Sequence, residues 1–203
     1  MAQGNKKAAP LWLALAAVLA AGLGGWLWLW ADRAAPPAAS TQALVGGPFV
    51  LTDHTGARVT DQTFRGQYML VFFGFTYCPD ICPTELQLIS EAMDRLKPAT
   101  AQKITPVFIT IDPDRDTPAV MAEYIAHFHP RLVGLTGTPE EIATAARAYR
   151  VYYQKAPGSE GDDYFMDHSA IVFLMGPEGQ YLSHFSPGTS AEAMAARLSE
   201  LVR

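Results

Sequence analysis

Two cysteines are all that this chain of 203 residues contains, and they sit four positions apart. Cys78 and Cys82 both fall inside VFFGFTYCPDICPTE, residues 71–85. With no other cysteine in the sequence, no disulfide framework holds a fold together. A bridge between these two neighbours would close too short a loop to add much stability. Basic residues are also in the minority: 15 Lys and Arg stand against 20 Asp and Glu, for a formal charge of -5 and a pI near 5.5. Nucleic acid requires a clustered basic face, and here Lys and Arg are scattered, which argues against it as a partner. Internal repeats and long low-complexity tracts are missing too, so about 200 residues describe one domain with appendages.

Charge is absent altogether from Ala8 to Ala31, and Leu11 to Trp30 is nearly continuous Leu, Ala, Val, Trp and Gly. About 24 residues make about 36 Å of helix, enough to cross a hydrocarbon core of about 30 Å. Trp26, Trp28 and Trp30 gather at the far end, where indole rings favour the headgroup zone, and Lys6 and Lys7 precede the run. The expectation is a cytoplasmic N-terminus (1–7), a transmembrane anchor (8–31), a flexible tether rich in Ala, Pro and Gly (32–48) and a domain from Phe49 to the end (49–203). A cleaved signal peptide is the alternative, although its apolar stretch is usually only about 7–15 residues. The charge pattern places a single-pass protein in the cell inner membrane with its C-terminal domain in the periplasm, where unprotected thiol pairs are oxidised.

Within 49–203, strand-like and helix-like stretches alternate. Tyr68–Phe75 is an apolar, aromatic run too short for a core helix and reads as a buried strand. Leu86, Ile89, Met93 and Leu96 then recur at helical spacing behind Pro83, and Ile104–Ile111 is a second buried strand. Strand, helix, strand in this order is a right-handed parallel crossover. Thr117-Pro118 opens a helix to about Phe128, Leu132–Leu135 is a short strand, and Thr138-Pro139-Glu140-Glu141 is a capping box for a helix to about Arg150. Ser169–Met175 and Tyr181–Phe185 flank the turn Gly176-Pro177-Glu178-Gly179, and a last helix spans about Ser190–Val202 with Thr189 and Glu192 spaced for a second box. Crossovers followed by a hairpin and a closing helix predict an α/β, thioredoxin-like domain.

The cysteine pair lies between the first core strand and the first long helix, at the strand edge where open α/β sheets build sites. Cys82 precedes Pro83, which puts it at or beside the helix start, where the dipole and free N–H groups favour a thiolate. Three residues separate the thiols, whereas redox enzymes typically use C-x-x-C. The wider spacing serves a disulfide and also lets both sulfurs face one soft ion. His168, just before the strand Ile171–Leu174, stands where related redox enzymes carry a cis-proline. Two thiolates and one imidazole suit copper, with zinc as the competitor.

These residues resemble the Sco/SenC family, the copper-binding assembly proteins of cytochrome oxidase. The resemblance is carried by Gly74-Phe75-Thr76-Tyr77-Cys78-Pro79-Asp80-Ile81-Cys82-Pro83, by Thr110-Ile111-Asp112-Pro113-Asp114-Arg115-Asp116-Thr117-Pro118 and by Asp167-His168-Ser169. It implies one copper ion held by Cys78, Cys82 and His168, a redox-active Cys78/Cys82 pair, and a metallochaperone role. The implied client is the binuclear copper site of cytochrome c oxidase subunit II, supplied with copper or kept reduced. Another periplasmic copper carrier or a thiol reductant would be a further partner.

Asp112, Asp114 and Asp116 read either as support around that site or as a solvated loop capping the next helix. Asp80 reads as a turn former or a tuner of the thiolates, and Met166 as core filler or a thioether ligand. His127 and His129 bracket a helix end, and His54 and His184 carry no assignment. Thiol–disulfide exchange by the pair alone remains an alternative function. A thiol peroxidase attacking through Cys82 is a further one, suggested by Phe75-Thr76 and Cys82-Pro83-Thr84-Glu85.

Overall fold

The structure, a computed structural model, describes residues 22, 23, 26, 45–157 and 164–203. Contacts divide the chain into two units, Met1–Thr41 and Gln42–Arg203. The expected anchor, apart from residues 22, 23 and 26, and most of the tether lie outside the described residues. Among the described residues no helix is long and apolar enough to cross a membrane.

In the second unit a seven-stranded sheet runs in the order β2-β1-β5-β4-β3-β8-β9. Its strands are β1 (Val50–Asp53), β2 (Arg58–Thr60), β3 (Tyr68–Gly74), β4 (Ile104–Thr110), β5 (Val133–Thr136), β8 (Val172–Met175) and β9 (Tyr181–Phe185). Strands β3, β4 and β5 are parallel, and β8 joins β3 antiparallel on the other side. All seven residues of β3 are buried, because a central strand covered on both faces must be apolar throughout. A separate two-stranded ladder, β6 (Tyr153–Lys155) with β7 (Met166–His168), stands outside that sheet.

The helices are α1 (Ile81–Arg95), the single turn α2 (Pro98–Ala101), α3 (Pro118–Ile125), α4 (Pro139–Tyr149) and α5 (Ala191–Leu201). Helix α1 packs on α5, α3 on β5 and α4 on β1. Thr138 and Glu141 form the expected capping box, and Thr117 caps α3 through the Val120 amide. The last helix differs: Ser190, not Thr189, accepts from the Ala193 amide, and Thr189 instead donates to the Ser186 carbonyl. Helix α1 also starts two residues before Pro83, which places Cys82 inside the first turn and Asp80 at the cap. The order of crossovers, hairpin and closing helix is the thioredoxin-like one.

Candidate metal centre

The cysteine turn is anchored from below by a buried carboxylate. Asp116, fully buried, accepts from the Thr76 amide at 3.1 Å and from the hydroxyls of Thr76 and Thr110 at 2.5 Å each. Burial raises its pKa, and the hydroxyl bonds oppose that shift. The turn then continues with the Cys78 amide bonded to the Phe75 carbonyl at 3.3 Å. Asp80 makes no side-chain cap bond to the backbone of α1. The sulfur of Cys78 takes that place, accepting from the Cys82 amide at 3.4 Å.

This arrangement reverses the expectation for the two thiols. The free N–H of the first turn points at Cys78 rather than at Cys82, the helix residue that carries it. Cys82 as a hydrogen-bond donor pulls Cys78, which is half-buried, down to about 4, with His168 assisting and burial opposing. The same neighbour, and then burial, pushes fully buried Cys82 up. The thiolate is Cys78, and the two thiols are not bridged.

Cys82 fits against the sheet only because position 74 is glycine. A Cβ there would lie 2.7 Å from Cys82 Sγ and 2.8 Å from the Phe108 ring. Gly74 opens the cysteine motif without a role of its own in the sequence; its signal is a glycine ending an otherwise apolar strand. Tyr124, also unforeseen, hides its phenol oxygen without a hydrogen bond while its ring packs on Phe108 and Phe128.

His168 reaches the pair from β7, whose last residue it is, opposite Tyr153. Its Nδ1 lies 3.2 Å from the Ser169 carbonyl oxygen, which can only accept, so the proton sits on Nδ1 and Nε2 offers a lone pair. That nitrogen is 3.5 Å from Cys82 Sγ. The rings of Phe72 and Phe75 meet the imidazole edge-on at 6.2 and 6.0 Å. The donor atoms of Cys78, Cys82 and His168 all fall within 4.8 Å of one another. Donors about 2.0–2.3 Å from a shared ion stand about 3.7–4.0 Å apart in a three-ligand site, so a contraction of under about 1 Å completes it. Two soft sulfurs and an imidazole make a donor set fit for copper.

The other candidates fall elsewhere. Asp112 is buried, accepting from Tyr164 Oη and Arg115 Nε at 2.5 Å each, while Asp114 is exposed. Asp80 is an exposed cap residue whose carboxylate accepts from the Thr84 hydroxyl at 3.5 Å. Met166 is half-buried against the core, on the same face of β7 as His168. His127 is exposed beyond the end of α3. His129 is half-buried, accepts from the Arg131 amide and faces Asp94 at 3.8 Å, with burial lowering its pKa. His54 accepts from the Gly134 amide, and His184 bonds to Tyr181.

The SCO1/SenC family profile matches residues 37–203. The chain belongs to the SCO1/SenC family. A human protein, the mitochondrial SCO1 homolog, is 47% identical over 161 residues, a stretch covering 79% of this chain and 54% of that protein. The chain therefore matches about half the length of that relative. Copper-bound ScoI from Arabidopsis thaliana superimposes with a TM-score of 0.74 at 42% identity, covering 78% of this chain and 98% of the other. Copper-bound ScoI from Bradyrhizobium japonicum gives 0.71 at 45%, covering 77% and 99%.

These relatives correct the expected placement in a cell inner membrane facing the periplasm, because the curated relatives at 42–47% identity include mitochondrial proteins of animals and a plant. The physical reason is that positive charge before an apolar run orients a segment relative to a bilayer but does not identify which bilayer.

Proposed function

We propose that this protein is a copper-binding assembly factor for cytochrome c oxidase, holding one copper ion as cargo through Cys78, Cys82 and His168. The observation that carries this reading is the convergence of two sulfurs and one imidazole nitrogen from two separate segments within 4.8 Å. Supporting it are the family membership and the copper in the related ScoI structures. The client would be the binuclear copper site of subunit II. Three protein ligands leave a coordination position open, so a client thiolate can add before a donor ligand leaves. An anchor at 8–31 with a tether at 32–48 would hold the 49–203 domain near a membrane-bound client and raise its effective concentration.

One observation favours a second use of the same pair. Cys78, half-buried with its thiol pulled down to about 4, is the attacking thiolate of a dithiol, and buried Cys82 is its resolving partner. Cys78 Sγ would attack a client disulfide, releasing one client thiolate. Cys82 would then attack Cys78 Sγ, releasing the second client thiol and leaving a Cys78–Cys82 disulfide, with two electrons passed to the client. A peroxidase working through Cys82 is disfavoured, since that sulfur is fully buried and kept protonated.

The test is copper titration of the reduced full chain in detergent, for wild type, Cys82→Ser and His168→Ala. Wild type should take up one equivalent with mixed sulfur and nitrogen ligation by X-ray absorption. Cys82→Ser should lose tight binding, and His168→Ala should weaken it by about 100-fold or more. A sulfur-only environment in loaded wild type would overturn the ligand set. Delivery is tested by mixing loaded protein with the copper-site domain of subunit II; retention of all copper on this chain would leave only the thiol role.

A further inference from the structure

The ligands arrive on two segments that share no strand ladder, the turn that enters α1 together with that helix's first turn, and the β6–β7 hairpin. A third segment, the β4–α3 loop, stands between them. Its backbone is folded on itself, with the amides of Arg115 and Asp116 both bonded to the Asp112 carbonyl. From this loop the Arg115 guanidinium lies over the Tyr77 ring at 4.6 Å and over the Tyr164 ring at 3.7 Å. Tyr77 is the residue before Cys78 and is 61% exposed. Tyr164 is buried at the foot of β7, four residues before His168, and Lys155 of β6 covers it as well at 3.8 Å. Asp112 fixes both inner members, accepting from Arg115 Nε and from Tyr164 Oη.

We propose that Arg115 is a positioning residue for the metal centre: in contact with both Tyr77 and Tyr164, it clamps the Cys78 turn to the hairpin that bears His168 and so keeps the imidazole beside the sulfur pair. The proposal rests on the reading of Cys78, Cys82 and His168 as copper ligands. A guanidinium suits the task because its planar, weakly hydrated face stacks on two rings at once while its edge donates to a carboxylate. Lysine has the charge but neither the plane nor the fork. Without the clamp, the hairpin keeps its own ladder but loses a fixed distance to the turn.

The test uses the full chain with Arg115→Gln, Arg115→Lys and His168→Ala beside wild type. In the copper-free protein, exchange of the hairpin amides of Tyr153 and His168 should quicken by about tenfold in Arg115→Gln, while amides of β3 keep their rates. Copper affinity should fall by about 10- to 100-fold, with nitrogen ligation reduced and both sulfurs retained by X-ray absorption. A merely structural role would lower the thermal midpoint without altering which atoms bind. Arg115→Lys, which keeps the charge beside Asp112, serves if Arg115→Gln loses its fold, and should show the same loss of nitrogen ligation. Wild-type hairpin exchange and nitrogen ligation in the Arg115 variants, with His168→Ala weakened, would overturn the clamp alone. Undiminished affinity in His168→Ala would instead overturn the ligand set on which the clamp depends.

Discussion

Cys78 and Cys82 stand on a platform, whereas His168 stands on an arm. The platform is the crossover from β3 to α1: a strand buried along its whole length, a glycine that admits the Cys82 sulfur, and a buried carboxylate under the turn. The arm is a hairpin with three residues in each strand, outside the main sheet, which reaches the pair through ring contacts and the Asp112–Tyr164–Arg115 group. Two of the three candidate donors are therefore pre-set by the packing of the whole domain, and the third depends on a smaller unit that can yield locally. Under the proposed delivery role, the weaker attachment of one donor gives a route by which the shell can open.

The sharpest way to break that comparison is to damage the platform. Phe72 is fully buried, stacks on Phe108 at 6.0 Å and meets the imidazole edge-on at 6.2 Å. Phe72→Ala should destabilise the whole domain by about 3–5 kcal/mol, read by urea denaturation of the reduced, metal-free protein. A loss of copper binding with stability unchanged would mean that the platform and the arm are not separate units.

A smaller effect distinguishes the two thiols. The native Cys78 thiol near 4 lies below the ordinary value of 9.0, so between those pH values the folded state binds one proton fewer than the unfolded chain. Stability from this group is present above about pH 9 and is lost as the pH falls through about 4. Alkylation of native Cys78 should stay fast down to about pH 5, with buried Cys82 unmodified. An alkylation profile rising only near pH 9 would move the thiolate elsewhere.

The smallest expected effect lies on α1, one turn beyond Cys82. Glu85 is buried, with one carboxylate oxygen accepting from the Gly188 amide and the other without a partner, and burial raises its pKa. A raised carboxyl pKa means that its contribution is best at low pH and is lost as the pH rises above the unfolded value of 4.5. Glu85→Gln keeps the carbonyl acceptor and should stabilise the protein by about 1 kcal/mol at neutral pH, a gain that vanishes toward pH 4. A destabilised Gln variant at pH 7 would give the ionised carboxylate a role that its surroundings do not show.

Much of the frame was legible because it is written in local chemistry. Buried strands β3 and β4, the Thr138–Glu141 box and the Gly176–Gly179 turn each follow from neighbouring residues. The short strands β1, β2, β6 and β7 escaped notice, since three or four half-buried residues carry too little periodicity to stand out. The Asp112–Asp116 segment looked equally like a solvated cap, and only the fold shows Asp116 buried under the cysteine turn and Asp112 buried against Tyr164 and Arg115.

The amino-acid order by itself determined the thioredoxin-like succession of elements and the placing of Cys78 and Cys82 at one turn, because spacing and residue type carry both; bringing His168 to that turn took the fold. Tertiary structure decided which sulfur is the thiolate. That choice depends on where the first N–H of α1 points and how deeply each thiol is covered, and neither is a property of the stretch Cys78–Cys82 alone. It also decided that an arginine from a third loop joins the two ligand-bearing segments, since stacking on two rings 87 residues apart in the chain exists only once the chain has closed on itself.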